Sequence, residues 1–371
     1  MHVISSPVVS SEDFETLNFP KVELHLHLDG SIRYRTILDL AQAKHIDLKG
    51  AKTVEDVKKL VVTHTPASLS KVLAAFEIFL PCVTGDAEAI ERIAYELCED
   101  QAKNGVVYFE TRYSPHLLSS TANHNHALEH LKDKLCPRGV VEAVKRGLDR
   151  GSRAFDVKAN SILCCIRGFE DWNHEVLELA TFFKDKGVVG IDVAGCAHGA
   201  DEQYEPSVIA VFQEAARRGI NRTVHAGESG GPKEVVTAID TMKAQRIGHG
   251  YRLVHDEAAY QKYAVEKHTH LEGCPYSSIM TGAVPLDWPN HPIRRWVKDR
   301  VNFSLSTDDP TCFDNSMMSE LVLARKELGL TVHQLWQCQY NAAEASFLPP
   351  SEKKQLLVQI IRAEPDEDPK H

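Results

Sequence analysis

The chain has 371 residues, including 42 Lys or Arg, 52 Asp or Glu and 19 His, so its formal net charge is 42 − 52 = −10. With 43% hydrophobic and 25% charged residues, it can bury a large core and still carry a hydrated surface. The acidic balance argues against a general nucleic-acid binder or a protein of anionic membrane surfaces, because both need basic patches.

The first twenty residues hold no basic segment and no unbroken apolar segment, since several serines and Pro7 interrupt every apolar run. We therefore expect no signal peptide. No stretch of eighteen apolar residues occurs, so we also expect no membrane span. The nine cysteines are scattered without a C-x-x-C pair, which is typical of free, mostly buried thiols in a cytoplasmic protein.

Short apolar or β-branched runs recur along the chain and predict eight strands. These runs are VELHLHL (22–28), VVYFETRYS (106–114), ANSILCCI (159–166), VVGIDVAG (188–195), RTVHAGE (222–228), RIGHGY (246–251), THLEGC (269–274) and NFSLSTDD (302–309).

Helical patterns lie between the strands. Asp86 begins one pattern that stops at Asn104-Gly105, and others cover 208–218, 321–328 and 332–343. Eight strand–helix repeats predict an α/β fold, a parallel TIM (β/α)₈ barrel. We expect one compact domain, 1–371.

Three segments depart from the simple repeat. The long stretch between the first two strands predicts extra helices inserted after the first strand, including 68–81, which we interpret as a lid or pocket wall over the barrel mouth. The polar segment 119–139 predicts a surface excursion. The charged, proline-containing tail 363–371 is typical of disorder.

Polar residues end several predicted strands, and in a barrel all such ends converge on one face. His25 and His27 share one side of the first strand because side chains alternate along a strand. His225 ends the fifth strand and His249 the sixth. The other two H-x-H pairs predict no site: His124 and His126 lie in a polar loop, whereas His268 and His270 begin a strand.

The adjacent Asp308 and Asp309 follow the eighth strand, and their side chains must diverge, so that one can bind a metal ion while the other faces a substrate. Three imidazoles and a carboxylate suit Zn²⁺. Glu228, three residues after His225, lies where a proton shuttle belongs, although an acid at a helix N-terminus is an equally good interpretation of it alone.

Motifs of other enzyme classes are missing. We find no phosphate-binding G-x-x-x-x-G-K-[ST], no full G-x-G-x-x-G, no G-x-S-x-G and no H-E-x-x-H. The thiolate zinc site of cytidine deaminases, with H-x-E and P-C-x-x-C, is also missing. The pattern therefore favours a barrel hydrolase with imidazole ligands.

These motifs together resemble the adenosine deaminase family of zinc-dependent amidohydrolase-like barrels, and most of all its animal-type members. The matching stretches are PKVELHLHLDGSI (20–32), GVVYFETRYSPHLL (105–118), KANSILCCIR (158–167), GIDVAG (190–195), RTVHAGE (222–228), RIGHGY (246–251), CPYSS (274–278) and SLSTDDP (304–310).

The resemblance implies one Zn²⁺ per chain, held by His25, His27, His225 and Asp308. It implies that Glu228 protonates the purine N1, that His249 orients and stabilises the attacking hydroxide, and that Asp309 bonds the water and the purine N7. The substrate-binding residues it implies are His27, Asp29 at the ribose 5′-hydroxyl, the Gly195 N–H at N3, Asp309 and Phe76 on the lid.

The implied reaction is hydrolytic deamination of adenosine and 2′-deoxyadenosine to inosine and 2′-deoxyinosine with release of ammonia, in purine salvage. We expect a nucleoside substrate as the partner, no nucleic acid, and a monomer. The chain departs from the animal pattern in two places: Cys196-Ala197 replace an acidic pair after Gly195, and Val72 stands where the lid usually has a second aromatic.

Several alternatives differ in their requirements. Deaminases of adenine or of an N6-substituted adenine mononucleotide tend to carry Glu or Asn at the position of Asp29, which would repel a 5′-phosphate. A secreted growth-factor-like or inactive binding relative should have lost a ligand or Glu228, and none is lost. A purely structural zinc would leave Glu228, His249 and Asp309 without a role.

Overall fold

Eight parallel strands form the centre of the molecule. The structure is a computed structural model that describes residues 4–120, 135–196 and 203–366. The strands are β1 (Lys21–His27), β2 (Val106–Tyr113), β3 (Lys158–Ile166), β4 (Val188–Ala194), β5 (Asn221–Ala226), β6 (Arg246–His249), β7 (His270–Gly273) and β8 (Phe303–Leu305). Each strand pairs with the next in sequence. A parallel bridge between Leu26 and Asp308 closes the ring, confirming the predicted barrel.

Helices surround the barrel and connect its strands. They are α1 (Ser11–Thr16), α2 (Tyr34–Ala43), α3 (Val54–Val61), α4 (Leu69–Leu73), α5 (Phe76–Phe79), α6 (Ala87–Lys103), α7 (Pro137–Phe155), α8 (Asn173–Phe183), α9 (Pro206–Arg217), α10 (Pro232–Asp240), α11 (Glu257–Tyr260), α12 (Pro275–Met280), α13 (Pro292–Lys298), α14 (Pro310–Phe313), α15 (Met317–Lys326), α16 (Val332–Ala345) and α17 (Pro350–Ile361). Among the described residues, no helix is both long and apolar enough to cross a membrane.

The helix α6 shows how local sequence sets an element. The Asp86 side chain accepts hydrogen bonds from the N–H groups of Glu88 and Ala89, and Gly105 ends the segment with φ 74°. On the next helix, a Cβ at Gly147 would lie 2.3 Å from the carbonyl oxygen of Glu91. Glycine therefore permits the close packing of α6 against α7.

The strands end earlier than the sequence predicted. The predicted eighth strand continues to 309, but β8 ends at Leu305, and Asp308 has φ 70°. Likewise β5 ends at Ala226, before Gly227 with φ 73°. Left-handed backbone cannot continue a strand. The polar residues that follow β5 and β8 therefore lie in turns at the barrel mouth.

The insertion after β1 contains four helices, α2 to α5, before the barrel helix α6. The predicted helix 68–81 is wrong as one continuous element. It divides into α4 and α5, followed by a 3₁₀ turn, Leu80–Cys82, that includes Pro81. Proline lacks the N–H that an α-helix would need there.

Other predicted segments have mixed outcomes. Most of the excursion 119–139 and the end of the tail 363–371 lie outside the described residues, as do His124 and His126. All nine cysteines are free and seven of them are buried, as predicted. Within the described part of this tail, Glu364 lies 3.3 Å from His333.

Candidate active site

Four side chains meet where the barrel closes. His25 and His27 lie on β1, His225 on β5, and Asp308 follows β8, with their candidate ligand atoms all within 4.8 Å of one another. Backbone hydrogen bonds hold β1 against the turn after β8: the His27 N–H donates to the Asp308 carbonyl at 2.9 Å, and the Asp308 N–H donates to the His25 carbonyl at 3.1 Å. Closure of the barrel therefore builds the four-residue cluster.

The cluster has the electrostatics of a cation site. The Nε2 atoms of His27 and His225 lie 3.2 Å apart, and Oδ1 of Asp308 lies 3.2 Å from Nε2 of His25 and 3.4 Å from Nε2 of His27. Nε2 of His25 is buried without a hydrogen-bond partner among the described residues. Burial holds the pKa of His27 well below its usual range, and nearby histidines lower it further. Burial also lowers the pKa of His225, so two imidazoles of the cluster favour the neutral form that binds a metal ion.

Two buried carboxylates orient the imidazoles of His25 and His225 through their Nδ1 atoms. Oε2 of Glu272 lies 2.7 Å from Nδ1 of His25, and Oδ2 of Asp192 lies 2.8 Å from Nδ1 of His225. Such contacts favour the tautomer that carries its proton on Nδ1 and leave Nε2 free for a metal. Sequence reasoning missed both residues. The available signal was a charged residue inside an apolar strand, Asp192 in GIDVAG.

Three further acid–base groups lie beside the cluster. Nε2 of His249 lies 3.5 Å from Oε2 of Glu228 and 3.9 Å from Oδ2 of Asp308. Burial raises the pKa of Glu228, and burial lowers the pKa of His249 to about 4. Burial, together with the neighbouring Asp308, raises the pKa of Asp309 well above its usual range. Carboxyl groups with raised pKa beside an imidazole with lowered pKa are suited to proton transfer.

Backbone conformation at this face is unusual. His249 has φ 66° and Asp308 has φ 70°, a left-handed region that non-glycine residues rarely occupy. Strain of this kind costs of order 1–3 kcal/mol per residue and concentrates at functional sites. Ser277 donates a hydrogen bond to Oδ2 of Asp308 at 2.7 Å and helps to hold it there.

The remaining predicted residues lie on three other segments of the chain. Asp29 follows β1, is buried, and has its pKa raised by burial to about 7. Gly195 follows β4 with φ 90°. Phe76 begins α5 in the insertion, its ring 5.0 Å from that of Phe79, and Val72 on α4 is fully buried.

His270 belongs to an H-x-H pair for which the sequence predicted no site. It begins β7, at the amino-terminal end of the barrel strands. Its ring nitrogens lie 2.8 Å from Oδ1 of Asn302 and 2.9 Å from Oγ of Ser304. These contacts give it a packing role at the end of the barrel away from the mouth.

Comparisons with known proteins agree with this geometry. Residues 20–363 match the family described as "Adenosine deaminase". The chain is 43% identical to the adenosine deaminase of Xenopus tropicalis, over 94% of this chain and 97% of that protein. It is 41% identical to the Mus musculus adenosine deaminase, over 93% and 97% of the two chains, and 35% identical to that of Clostridium perfringens, over 93% and 99%.

Solved structures share the fold. The adenine deaminase from Arthrobacter aurescens superposes with a TM-score of 0.80 at 23% identity, covering 93% of this chain and 98% of that one. The N6-methyl-AMP deaminase from Arabidopsis thaliana superposes with a TM-score of 0.78 at 28% identity, covering 95% and 98%. The match of one family over nearly the whole length, with its motifs gathered at one barrel mouth, leads to a single conclusion. The chain belongs to the adenosine deaminase family.

Proposed function

We propose that the chain hydrolyses the exocyclic C6–N bond of adenosine and 2′-deoxyadenosine, giving inosine or 2′-deoxyinosine and ammonia. The observation that carries the proposal is the meeting of a cation cluster with buried acid–base groups at one barrel mouth. Adenosine deaminases are its relatives at 41–43% identity, whereas the nucleotide enzyme from Arabidopsis thaliana is 28% identical. The alternative activities are therefore not favoured.

The metal centre would be one Zn²⁺ held by His25, His27, His225 and Asp308. Three imidazole nitrogens and one carboxylate oxygen are a zinc-type donor set. A bound Zn²⁺ acts as a Lewis acid and lowers the pKa of a coordinated water toward neutrality. A solved amidohydrolase with bound Zn superposes with a TM-score of 0.80 at 21% identity, which supports the fold comparison alone.

The acid–base groups would divide the proton transfers between them. Glu228, whose pKa is raised by burial, would give its proton to the purine N1 and make C6 electrophilic. His249, neutral because burial lowers its pKa, would accept a proton from the attacking water and orient it. Asp309, whose pKa is raised well above its usual range by burial and by Asp308, would donate a hydrogen bond from its carboxyl group to the purine N7. The amine then takes the proton that His249 removed from the water and leaves as ammonia, while the C6 hydroxyl returns a proton to Glu228 as the carbonyl forms. The adduct at C6 is the species that these preformed groups favour.

Substrate recognition would use the rim of the same mouth. Asp29 would bond the ribose 5′-hydroxyl, and its buried Oδ1 lacks a partner among the described residues. The N–H of Gly195 would meet N3, His27 would contribute from the metal side, and Phe76 would face the purine. A 5′-phosphate would bring its charge against the carboxyl group of Asp29, which favours the nucleoside.

One absorbance assay tests the proposal. Purified protein is offered adenosine, 2′-deoxyadenosine, adenine and AMP separately, and the purine spectrum is followed. We expect turnover of the two nucleosides. Turnover of adenine or AMP without any of adenosine would overturn the assignment.

The metal claim has its own test. Zinc content is measured in the wild type, in His225→Ala, and in His270→Gln as a control that alters a buried histidine at the other end of the barrel. We expect zinc to be lost from His225→Ala alone. Equal stoichiometry in all three would remove His225 from the centre.

Two further expectations complete the proposal. A monomer is predicted, which light scattering in solution can check. A cytoplasmic location also stays a prediction, which fluorescence imaging of a tagged chain can check.

A further inference from the structure

A buried arginine lies beneath the metal-ligating imidazoles. Arg112 is on β2, and its side chain is fully buried. Nη1 donates to Oδ2 of Asp192 at 2.9 Å, and Nη2 donates to Oε2 of Glu272 at 2.8 Å. Nη2 also donates to the Leu24 carbonyl on β1, which fixes the guanidinium against the strand that carries two of the metal ligands.

The two oxygens that Arg112 binds are the same two that face the imidazoles. Oδ2 of Asp192 lies 2.8 Å from Nδ1 of His225, and Oε2 of Glu272 lies 2.7 Å from Nδ1 of His25. The side chains thus form one continuous path, His225–Asp192–Arg112–Glu272–His25, with one member on each of β5, β4, β2, β7 and β1. Arg112 is the only member of the path that contacts both carboxylates.

The shared guanidinium couples the positions of the two carboxylates. A buried carboxylate needs a compensating charge, and a guanidinium supplies a permanent charge with donors in a rigid planar fork. Because one fork holds both carboxylates, the position of one fixes the position of the other. A lysine ammonium is a compact charge with three rotatable donors, and it lacks the fixed planar spacing with which the guanidinium reaches both oxygens.

We propose that Arg112 is a positioning residue that aligns His25 and His225 together for the metal, through Asp192 and Glu272. This inference rests on the metal centre proposed above. It means that metal affinity depends on a side chain that touches neither metal nor substrate. It also means that the two orienting carboxylates act as one unit.

The barrel provides a matched control in Arg246. This residue, on β6, is equally buried and also binds Glu272, but through Oε1 at 2.7 Å, the oxygen that does not face His25. Its other partner is Glu110, at 2.7 Å. Arg246→Lys therefore disturbs the same kind of buried ion pair without breaking the path to the imidazoles.

The first experiment measures zinc dissociation into excess chromogenic chelator for the wild type, Arg112→Lys and Arg246→Lys, with thermal unfolding of the metal-free proteins in parallel. We expect zinc to leave Arg112→Lys about 10- to 100-fold faster than the wild type, the usual effect of losing a partner of metal ligands. Zinc should leave Arg246→Lys within about threefold of the wild-type rate, whereas the two metal-free variants should lose similar stability, since each loses one buried ion-pair geometry.

Wild-type dissociation from Arg112→Lys would overturn the proposal. So would equal acceleration in both variants, because that would indicate general loosening of the barrel. The readout needs no substrate, so a wild type that binds zinc but deaminates nothing would contradict the proposed reaction and leave this test valid. A wild type without tight zinc would overturn the metal centre and this inference with it.

A second measurement tests the coupling and needs no Arg112 variant to fold. Zinc dissociation rates are compared for Asp192→Asn, Glu272→Gln and the double variant. If one guanidinium ties the two carboxylates together, the double variant should accelerate dissociation by clearly less than the product of the single effects. A double effect equal to that product would show two independent partners and would overturn the shared positioning.

Discussion

Gly30 allows the carboxylate of Asp309 to occupy its place at the barrel mouth. A Cβ atom at Gly30 would lie 1.8 Å from Oδ1 and 2.7 Å from Cγ of Asp309. Gly30 does not have a positive φ, so alanine meets no backbone strain there. The predicted effect of Gly30→Ala therefore comes from the steric contact alone.

The size of the effect follows from the distances. Ordinary van der Waals contact begins at 3.4 Å, so Asp309 or the Gly30 backbone must move by about 3.4 − 1.8 = 1.6 Å. The backbone is itself held, because the Thr311 N–H donates to the Gly30 carbonyl at 2.8 Å. A misplacement of about 1 Å can cost about 100-fold in rate. We expect kcat to fall at least about 100-fold. This ratio corresponds to a loss of about 2.7 kcal/mol of transition-state stabilisation.

Steady-state kinetics on adenosine, with zinc content measured in each preparation, checks this prediction. Gly139→Ala is the matched control: Gly139 lies on α7, and its Cβ would meet the flexible end of the Leu135 side chain and, at 4.0 Å, Sγ of Cys136. The control should keep kcat within about twofold of the wild type. If Gly30→Ala retained zinc and kept kcat within about threefold, the position of Asp309 could not matter to the reaction as proposed.

Three other predictions concern protons and metal. Glu228→Gln should keep its zinc but lose about 10²–10⁴-fold in kcat, because glutamine cannot give a proton to N1; an unchanged kcat would remove Glu228 from the mechanism. Chelation of the metal should lower the thermal midpoint, and added Zn²⁺ should restore it, because the ion binds only the folded cluster; equal midpoints would argue against a metal centre. Burial raises the pKa of Glu320 from 4.5 to about 8, so the folded state holds a proton that the unfolded state releases. Stability should therefore fall as pH rises between these values. In Glu320→Gln the fall between about pH 5.5 and 8 should shrink by about 3 kcal/mol, measured by urea unfolding at both pH values; an unaltered pH dependence would contradict the buried proton.

Much of the fold was predictable because its signals are local. Apolar runs of strand length, separated by capped helices, predicted all eight strands and the order in which they pair. The ends of β5 and β8 were placed too late, because a left-handed residue such as Gly227 or Asp308 ends a strand without interrupting the apolar pattern. The single helix 68–81 failed for a similar reason, since the break between α4 and α5 leaves the periodicity intact.

The sequence predicted the candidate metal ligands but not the residues that lie behind them. His25, His27, His225 and Asp308 could be found because polar residues that end apolar strands need a reason to be there. Asp192, Glu272 and Arg112 lie behind them and ligate nothing, so neither spacing nor composition distinguished them.

The sequence by itself determined the alternation of strands and helices, the shared side of His25 and His27, and the family. Those properties depend on neighbours along the chain and on motifs that can be compared directly. Only the tertiary structure decided that Asp308 meets β1 through the closing bridge with Leu26, that Gly30 makes room for Asp309, and that Arg112 joins two carboxylates. These contacts depend on the stagger between strands around a closed barrel. That stagger is set by packing of the whole ring, which no local pattern records.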